Sequence, residues 1–302
     1  MKVRAILNPR AGVAAQATQA HLAQGRPGWS DFAVWLTRAP GHAVELARQA
    51  VADGADAVLA AGGDGTVNEV ARGLLGSHVA LGVVPAGSGN GLARALGVPL
   101  QTAPALAALE GASPRAIDVG FLNGRPFLNV AGAGFDAAVG RAFHERGVQG
   151  GRRGLFGYVH LSLRELRAYR APQVSLELPG GVRHDMRPFV LTFANGPQYG
   201  SGAVINPGAR LDDGILEVVL YEDGSRLATL AAAPLLFLGG AERLARYRRL
   251  AASQVTVTAA TPLPLHVDGD PIPPAERVRV ELRPRGLFVL VPAAAARSAL
   301  FC

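Results

Sequence analysis

The sequence predicts an α/β domain with a parallel sheet, followed by an all-β domain built as an antiparallel β-sandwich. The chain has 302 residues, about twice the ~150 that commonly form one domain. Its first third alternates short apolar runs with helical patterns, as parallel sheets with covering helices do. From about Ile117 onward, short β-type runs are separated by turn residues, which is typical of sandwiches and barrels. We therefore place the first domain at residues 1–117, with the tail 286–302 packing back onto it, and the second at residues 118–285.

The N-terminal elements follow one another as strand and helix. Each strand is a short apolar run that leads into a turn containing glycine or proline, and each helix begins just after such a turn. The predicted strands are Lys2–Leu7, Phe32–Thr37, Ala55–Ala61 and Val79–Val84. The predicted helices are Ala11–Gln24, a segment after Gly41 that runs through Ala52, Thr66–Leu75, and one that opens at Leu92–Leu96.

The C-terminal region is predicted to be mostly strands. These are Phe127–Val130, Val174–Leu178, Phe189–Phe193, Leu216–Tyr221, Val255–Val257, Leu263–Val267, Val278–Leu282 and Leu287–Val291. Two helical stretches are predicted to interrupt them, at Leu155–Tyr169 and Leu227–Leu250.

Composition and charge narrow the function classes. Apolar residues make up 49% of the chain and charged residues 18%, as in ordinary globular proteins. The net charge is +7, but Lys2 is the only lysine, so the excess reflects an arginine-rich composition. The arginines are scattered and aromatic residues are few, which argues against nucleic-acid binding.

The cysteine and hydropathy patterns indicate a cytoplasmic protein. Cys302 is the only cysteine, so the chain forms no internal disulfide and no cysteine-rich zinc site. The longest apolar stretch, Leu227–Leu238, is shorter than the ~20 residues that span a bilayer. Any membrane contact is expected to be peripheral, at the inner face.

The strongest local motif is a glycine-rich turn at residues 62–66, Gly-Gly-Asp-Gly-Thr. A buried strand ends there and a helix follows, in which Thr66 and Glu69 have capping-box spacing. Uncrowded N–H groups at a helix N-terminus suit an anionic phosphate. The alternative is a strand-to-helix turn without a ligand. Asp64 inside the turn favours the functional interpretation, with a cation or a hydrogen-bonded group between it and the phosphate.

A second glycine loop repeats this arrangement. Gly87, Gly89 and Gly91 alternate with Ser88 and Asn90 after the strand at residues 79–84. A third loop, residues 8–12, follows the first strand. Because loops at the carboxyl edge of a parallel sheet converge where such sheets bind ligands, the three loops are predicted to form one site.

Several rival motifs are excluded or weak. Since Lys2 is the only lysine, the chain has no Walker loop, no other lysine for a Schiff base and no strand lysine of protein kinases. Residues 86–90 lack the outer glycines of a nucleophile elbow. His266 and the other six histidines lack metal-ligand spacing. Residues 132–137 fit a loose dinucleotide pattern, but they open the β-rich region.

Three acidic positions follow downstream. Asp212 and Asp213 precede a glycine in a turn, where a hard cation and an ordinary solvated hairpin are equally compatible. Asp268 and Asp270 flank Gly269 in a similar turn. Asp118 is a single acid near the domain junction, where a structural role is more common than a catalytic one.

Together these motifs resemble the diacylglycerol kinase catalytic domain family, which includes bacterial diacylglycerol kinases and sphingosine kinases. The resemblance extends from Asn8 to about Asp270. The turn at residues 62–66 is shared with NAD kinases and phosphofructokinases, whereas its combination with residues 87–90, 211–214 and 268–270 is more specific. The resemblance implies an N-terminal nucleotide-binding domain of the NAD kinase and phosphofructokinase type, a C-terminal β-sandwich, and an active site between them.

The resemblance also implies the residues that bind ATP and Mg²⁺. ATP would be held by Asn8, Pro9, Arg10, Ala11, Gly12, Thr37, Gly62, Gly63, Asp64, Gly65, Thr66, Val67, Asn68 and Ser88. A structural magnesium ion would be held by Asp213 with the backbone carbonyls of Arg210 and Ile215. Asp64 would act through magnesium or ordered water. The general base of the family is the last acid of an Asp-Gly-Glu motif, which corresponds to Asp270. This sequence departs there, since Asp270 is one methylene shorter than glutamate, and Asp268 is the second candidate.

The implied function is ATP-dependent phosphorylation of a lipid hydroxyl. An NAD kinase and a non-catalytic nucleotide- or lipid-binding protein are the alternatives. Diacylglycerol, a sphingoid base, monoacylglycerol, phosphatidylglycerol and isoprenoid alcohols all remain open as acceptors, and so does the oligomeric state, a homodimer included. Residues 155–169 fit either a basic amphipathic helix on anionic lipid or an ordinary surface helix.

Overall fold

A computed structural model describes residues 1–11, 15–25, 28–148, 164–199, 202–225, 229, 235 and 238–295. Its N-terminal part is an α/β unit in which four parallel strands lie in the order β4-β3-β1-β2. The strands are β1 (Lys2–Leu7), β2 (Asp31–Leu36), β3 (Ala57–Gly62) and β4 (Ala80–Pro85). The helices are α1 (Ala15–Ala23), α2 (His42–Ala52), α3 (Asp64–Leu74), α4 (Gly91–Ala95) and α5 (Thr102–Glu110).

The parallel sheet is apolar because it is covered on both faces. Every residue of β3 and β4 is buried, as expected when helices pack on both sides of a sheet. Helix α3 carries Val67, Val70 and Leu74 on one side, and all three are buried. Each contributes about 1.5–3 kcal/mol relative to an exposed position, so the helix is held firmly against the sheet.

The C-terminal part consists mainly of antiparallel strands. They are β5 (Ser113–Leu122), β6 (Arg125–Phe127), β7 (Val130–Gly134), β8 (Val174–Glu177), β9 (Arg183–Met186), β10 (Pro188–Ala194), β11 (Leu216–Glu222), β12 (Tyr247–Ala252), β13 (Gln254–Val267) and β14 (Asp270–Val291). Helix α6 (Phe135–Val148) follows β7 directly. A separate apolar core lies here, around Phe127, Phe193 and the inward side chains of β13 and β14.

Strand β14 joins the two parts. It has 22 residues, begins as the hairpin partner of β13, and ends beside β4 in parallel pairing at Val289 and Leu81. Strand β5 pairs with it along its second half. Residues 286–291 therefore lie in the sheet of the N-terminal part.

The predicted fold class is confirmed, with parallel strands first and antiparallel strands after them. The predicted helix at Leu227–Leu250 is wrong in its last part, because β12 begins at Tyr247 and pairs with β11; residues 226–228, 230–234 and 236–237 lie outside the described residues. Of the helix predicted at residues 155–169, residues 155–163 also lie outside, and residues 164–168 are helical. Helices α5 and α6 and strands β5, β9 and β12 are not among the elements predicted from the sequence.

Candidate active site

Two glycine loops touch at the carboxyl edge of the parallel sheet. Strands β3 and β4 are neighbours whose ends pair at Gly62 and Pro85. Beyond this pair, a Cβ atom on Gly87 would lie 2.5 Å from the Cα of Gly63. Because no side chain fits between the two backbones, glycine at position 87 allows this close contact.

Helix α3 begins at this contact and directs its N-terminus into the site. Gly63 is the N-cap in an extended conformation and makes no side-chain cap bond. The first helical hydrogen bond runs from the N–H of Val67 to the carbonyl of Gly63. The N–H groups before it lie outside the helical series, and together with the helix dipole they favour a negatively charged group.

Asp64 ties the two loops together. Its Oδ2 accepts the N–H of Asn90 at 2.9 Å, and its Oδ1 accepts the N–H of Gly91 at 2.6 Å. Burial raises the pKa of this carboxyl, although the two backbone donors act in the opposite direction. Asn90 adopts a left-handed conformation with φ 58°, and its side-chain amide bonds both the N–H and the carbonyl of Gly87. Asn90 was placed in this loop from the sequence but not among the predicted binding residues, although an asparagine among glycines is a signal for left-handed backbone.

The other predicted nucleotide-binding residues lie at the same edge. The Asn8 Nδ2 donates to the Thr66 Oγ1 at 3.3 Å, and the Asn8 Oδ1 accepts the N–H of Arg10. The N–H of Thr37 bonds the carbonyl of Leu7, so the ends of β1 and β2 are joined there. Pro9, Arg10 and Ser88 are exposed, Ala11 is half-buried, and Gly12 lies outside the described residues.

The expected capping box at Thr66 and Glu69 is absent. Thr66 instead faces Asn8, and the Glu69 carboxylate accepts the N–H groups of Gly41 at 2.8 Å and Ala43 at 3.3 Å. The spacing suggested a local bond, but helix α2 packs beside α3 and presents its own unpaired N–H groups to Glu69. Glu69 therefore caps α2 and holds the loop that follows Thr37.

A tight turn from the C-terminal part reaches the same place. Asp268 and Gly269 connect β13 to β14 with φ 48° and 88°, the left-handed pair that two-residue hairpins favour. The Asp268 carboxylate accepts the N–H groups of residues 128–130 and the Asn68 Nδ2, all between 2.8 and 3.2 Å. Burial raises the pKa of Asp268 to about 6.

Asp270 follows this turn and lies over the first turn of α3. A Cβ atom on Gly65 would be 3.2 Å from the Asp270 Oδ2. The residue is exposed, in contrast to the partly buried Asp268. The shorter acid therefore still reaches the N-terminus of α3.

The predicted magnesium position lies apart from these residues. Asp213 Oδ1 accepts the N–H of Ile215 at 2.9 Å, and Asp118 Oδ2 accepts the N–H of Gly214 at 2.7 Å. Burial raises the pKa of Asp118, and the charges of Asp213 and Asp212 add to the effect. Oxygen donors and concentrated negative charge suit a hard cation that retains several waters. Within the described residues, no three acidic or histidine side chains are arranged to hold a metal by themselves, so carbonyl oxygens would have to complete the site.

The described helices give no membrane span. Each of them falls short of the length or the hydrophobicity that crossing a bilayer requires.

The fold is an α/β domain with parallel strands, followed by a domain of antiparallel strands. Residues 2–122 match the diacylglycerol kinase catalytic domain, and residues 129–291 match the YegS C-terminal NAD kinase beta sandwich-like domain. The chain belongs to this family of lipid kinases.

Relatives along most of the chain agree with this assignment. The "Probable lipid kinase YegS-like" of Pseudomonas aeruginosa is 33% identical over 94% of this chain and 89% of its own length. The protein of the same name from Pseudomonas fluorescens is 34% identical over 88% and 87%. A crystal structure of a diacylglycerol kinase from Bacillus anthracis has a TM-score of 0.73 at 20% identity, over 97% of this chain and 98% of that one, which shows the shared fold.

Proposed function

We propose that this protein is an ATP-dependent lipid kinase that transfers the γ-phosphate to a lipid hydroxyl. One observation carries the proposal. The Asp270 carboxylate, from the C-terminal part, lies next to Gly65 at the N-terminus of α3. A candidate proton acceptor and a candidate phosphate-binding turn therefore face each other across the two parts of the chain.

The glycine loops are suited to hold the triphosphate without a lysine. The first-turn N–H groups of α3 supply donors, and the contact of Gly63 with Gly87 keeps side chains out of their way. Asn8, Thr37 and Thr66 surround the same edge of the sheet and would hold the rest of the nucleotide. Phosphoryl transfer depends mostly on such positioning and charge stabilisation.

Asp64 acts in this proposal through the loops. Both of its oxygens accept backbone N–H groups from residues 90 and 91, so the carboxylate sets the spacing of the two loops. Magnesium or ordered water that accompanies the phosphates would meet this carboxylate at its remaining lone pairs.

Asp270 is the proposed general base. Both oxygens of Asp268 already accept hydrogen bonds from four donors, which suits a residue that anchors the turn. Asp270 accepts the proton of the lipid hydroxyl as the hydroxyl oxygen attacks the γ-phosphorus, the bond from this phosphorus to the bridging β–γ oxygen breaks, and ADP leaves. Positioned carboxylates perform this role in general base catalysis.

The structural magnesium ion would be held by Asp213 with carbonyl oxygens of Arg210 and Ile215. Burial raises the pKa of Asp118, and the charges of Asp213 and Asp212 add to the effect; the positive charge of a bound ion would offset this repulsion. Asp118 bonds the N–H groups of Gly214 and Arg285, so it holds the turn of Asp213 against β14, beyond the part of that strand that pairs with β13.

The test is phosphorylation of lipid alcohols from radiolabelled ATP in mixed micelles. The panel contains diacylglycerol, monoacylglycerol, phosphatidylglycerol, a sphingoid base and an isoprenoid alcohol, with NAD as a soluble acceptor. We expect label in at least one lipid and none in NAD. Label in NAD alone would assign an NAD kinase, and no label in any acceptor would contradict kinase activity.

The matched variant is Asp270→Asn, which keeps the size of the side chain and removes its basicity. We expect kcat to fall about 10²–10⁴-fold, the usual contribution of a general base, while the KM for ATP changes little. Asp185→Asn, on the exposed strand β9, is the control and should match the wild type. Normal turnover by Asp270→Asn would move the base to another residue.

A further inference from the structure

We infer that His266 is a positioning residue, which holds the turn that carries Asp270 and is itself held by hydrogen-bonded side chains of Asp136, Tyr199 and Thr192. The inference rests on the proposed function only where it concerns turnover. His266 is on β13, and the residue is 3% exposed. It lacks metal-ligand spacing in the sequence and has no part in the proposed phosphoryl transfer.

The imidazole bonds the tip of the turn directly. The N–H of Gly269 donates to the His266 Nδ1 at 3.3 Å. The N–H of Asp268, the other residue at the tip, donates to the carbonyl of Val130 at 2.8 Å. The two backbone donors at the tip, those of Asp268 and Gly269, are therefore both satisfied by fixed groups, which limits how far the turn can rotate.

The opposite nitrogen determines the tautomer of the ring. Because a backbone N–H can only donate, Nδ1 must be the acceptor and the proton must reside on Nε2. Nε2 lies 3.0 Å from the Asp136 Oδ2, to which it donates. A carboxylate that receives one ring N–H fixes both the tautomer and the orientation of a histidine.

Asp136 is itself held in place by residues of a neighbouring strand and loop. The Tyr199 hydroxyl donates to the Asp136 Oδ2 at 2.9 Å, and the Thr192 Oγ1 lies 2.7 Å from the Tyr199 hydroxyl oxygen. Thr192 is on β10, and Asp136 is in the first turn of α6. This series of hydrogen bonds thus runs from Thr192 in the sheet through Tyr199, Asp136 and His266 to Gly269.

Gly132 provides the space for this series of hydrogen-bonded side chains. His266 pairs with Gly132 of β7 in the sheet register. A Cβ atom on Gly132 would collide with both the Asp136 carboxylate and the His266 ring. Gly132, the first residue of the loose dinucleotide pattern at residues 132–137, therefore leaves room for the Asp136–His266 pair.

Two substitutions test the roles of the two ring nitrogens of His266 separately. In His266→Asn the side-chain oxygen can stand in for Nδ1 and accept the Gly269 N–H. In His266→Gln the side-chain NH₂ can stand in for Nε2 and donate to Asp136, while the acceptor for Gly269 is lost. Each variant loses one of the two hydrogen bonds of the ring, so their overall stabilities should be similar. They differ at the turn, because only His266→Asn keeps an acceptor for the Gly269 N–H.

The first measurement is hydrogen exchange of the backbone amides of residues 267–271, which requires no activity. We expect exchange about 5–10-fold faster in His266→Gln than in the wild type, the effect of losing one typical hydrogen bond, and near-normal exchange in His266→Asn. Equal exchange in the two variants would overturn the inference. If His266→Gln does not fold, ¹⁵N NMR of the wild-type ring decides: an unprotonated Nδ1 supports the inference, and a protonated Nδ1 overturns it.

The second measurement is steady-state kinetics on the lipid that the acceptor panel identifies. Because a shift of about 1 Å in a catalytic group can cost ~10²-fold in rate, kcat should fall about 10–100-fold in His266→Gln and less than about 3-fold in His266→Asn, with the KM for ATP unchanged in both. Equal losses of kcat that follow the melting temperatures would indicate a purely structural role. A wild type without kinase activity would contradict the proposed function and leave the exchange experiment as the test of His266.

Discussion

At the scale of single residues, the acids at this edge of the sheet have different surroundings. Asp64 accepts two backbone N–H groups from one loop, Asp268 accepts four donors, and Asp270 is exposed over Gly65. All three of these acids are aspartates, so the residue type does not distinguish them. Their different roles in our proposal follow from which donors each carboxylate meets.

Asp268 should make stability depend on pH. Its pKa is about 6 in the folded protein and about 3.9 in the unfolded chain, so the folded state binds more protons between these values. The free energy of unfolding should therefore fall as pH rises from about 4 to about 6. Relative to Asp268→Asn, which does not titrate, the wild type should lose about 2–3 kcal/mol between pH 4 and pH 7.

Urea unfolding of both proteins across this pH range measures the difference. Asp53→Asn, at the exposed C-terminal end of α2, serves as the control. If the stability of the wild type relative to Asp268→Asn instead stays constant or grows with pH, the four hydrogen-bond donors to Asp268 lower its pKa by at least as much as burial raises it.

At the scale of elements, the site depends on ends of strands and helices that are held by other elements. Asp64 of α3 binds the start of α4, and Glu69 of α3 binds the start of α2. Helix α3 therefore organises both loops beside it, and the glycine contact sets how closely the loops of β3 and β4 approach.

Gly87→Ala should separate the two loops. The new methyl group would lie 2.5 Å from the Cα of Gly63, and backbone atoms cannot move aside as the end of a side chain can. We expect a loss of about 1–3 kcal/mol in unfolding free energy and a rise of at least about tenfold in the KM for ATP.

Gly111→Ala is the matched control, because a Cβ atom there meets nothing within 4 Å and φ is −98°. Isothermal titration calorimetry with a non-hydrolysable ATP analogue measures the nucleotide affinity of each variant and of the wild type. Equal affinity of Gly87→Ala and the wild type would contradict a nucleotide site at this contact.

At the scale of the whole molecule, the two parts are joined by β14 and by Asn68. The strand continues from the β13 hairpin into the parallel sheet. The Asn68 Nδ2, on α3, donates to the Asp268 Oδ2 and to the carbonyl of Pro126, both at 3.0 Å. Helix α3 is thus hydrogen-bonded directly to the turn that carries Asp270.

Asn68→Ala should weaken this connection between the parts. Two acceptors lose a donor, which costs about 1–3 kcal/mol of unfolding free energy, and kcat should fall because Asp270 is no longer held over α3. Thermal unfolding and steady-state kinetics measure the two effects. Gln49→Ala, exposed on α2, should leave both unchanged, and an Asn68→Ala protein with normal kcat would contradict the connection.

The sequence by itself determined the order of the N-terminal elements and the glycine turn of residues 62–66. Apolar runs, glycines and helix starts are local signals, so β1 begins and ends where the pattern predicts. It also placed the three loops at one edge, because parallel strands end there, whereas Asp268 and Asp270 were assigned to the site only through the family resemblance. The assignment of Asp270 as the base stays a prediction.

The tertiary structure decided the partners of the side chains. Asp268 meets Leu128 across 140 positions, Asp64 meets Asn90 across 26 positions, and His266 meets Asp136 across 130. Local spacing suggested a capping box for Glu69, yet the packing of α2 against α3 gave it another helix to cap. The physical reason is that hydrogen-bond partners depend on strand register and helix packing, which are set by the burial of the whole core and leave no mark at a fixed spacing in the chain.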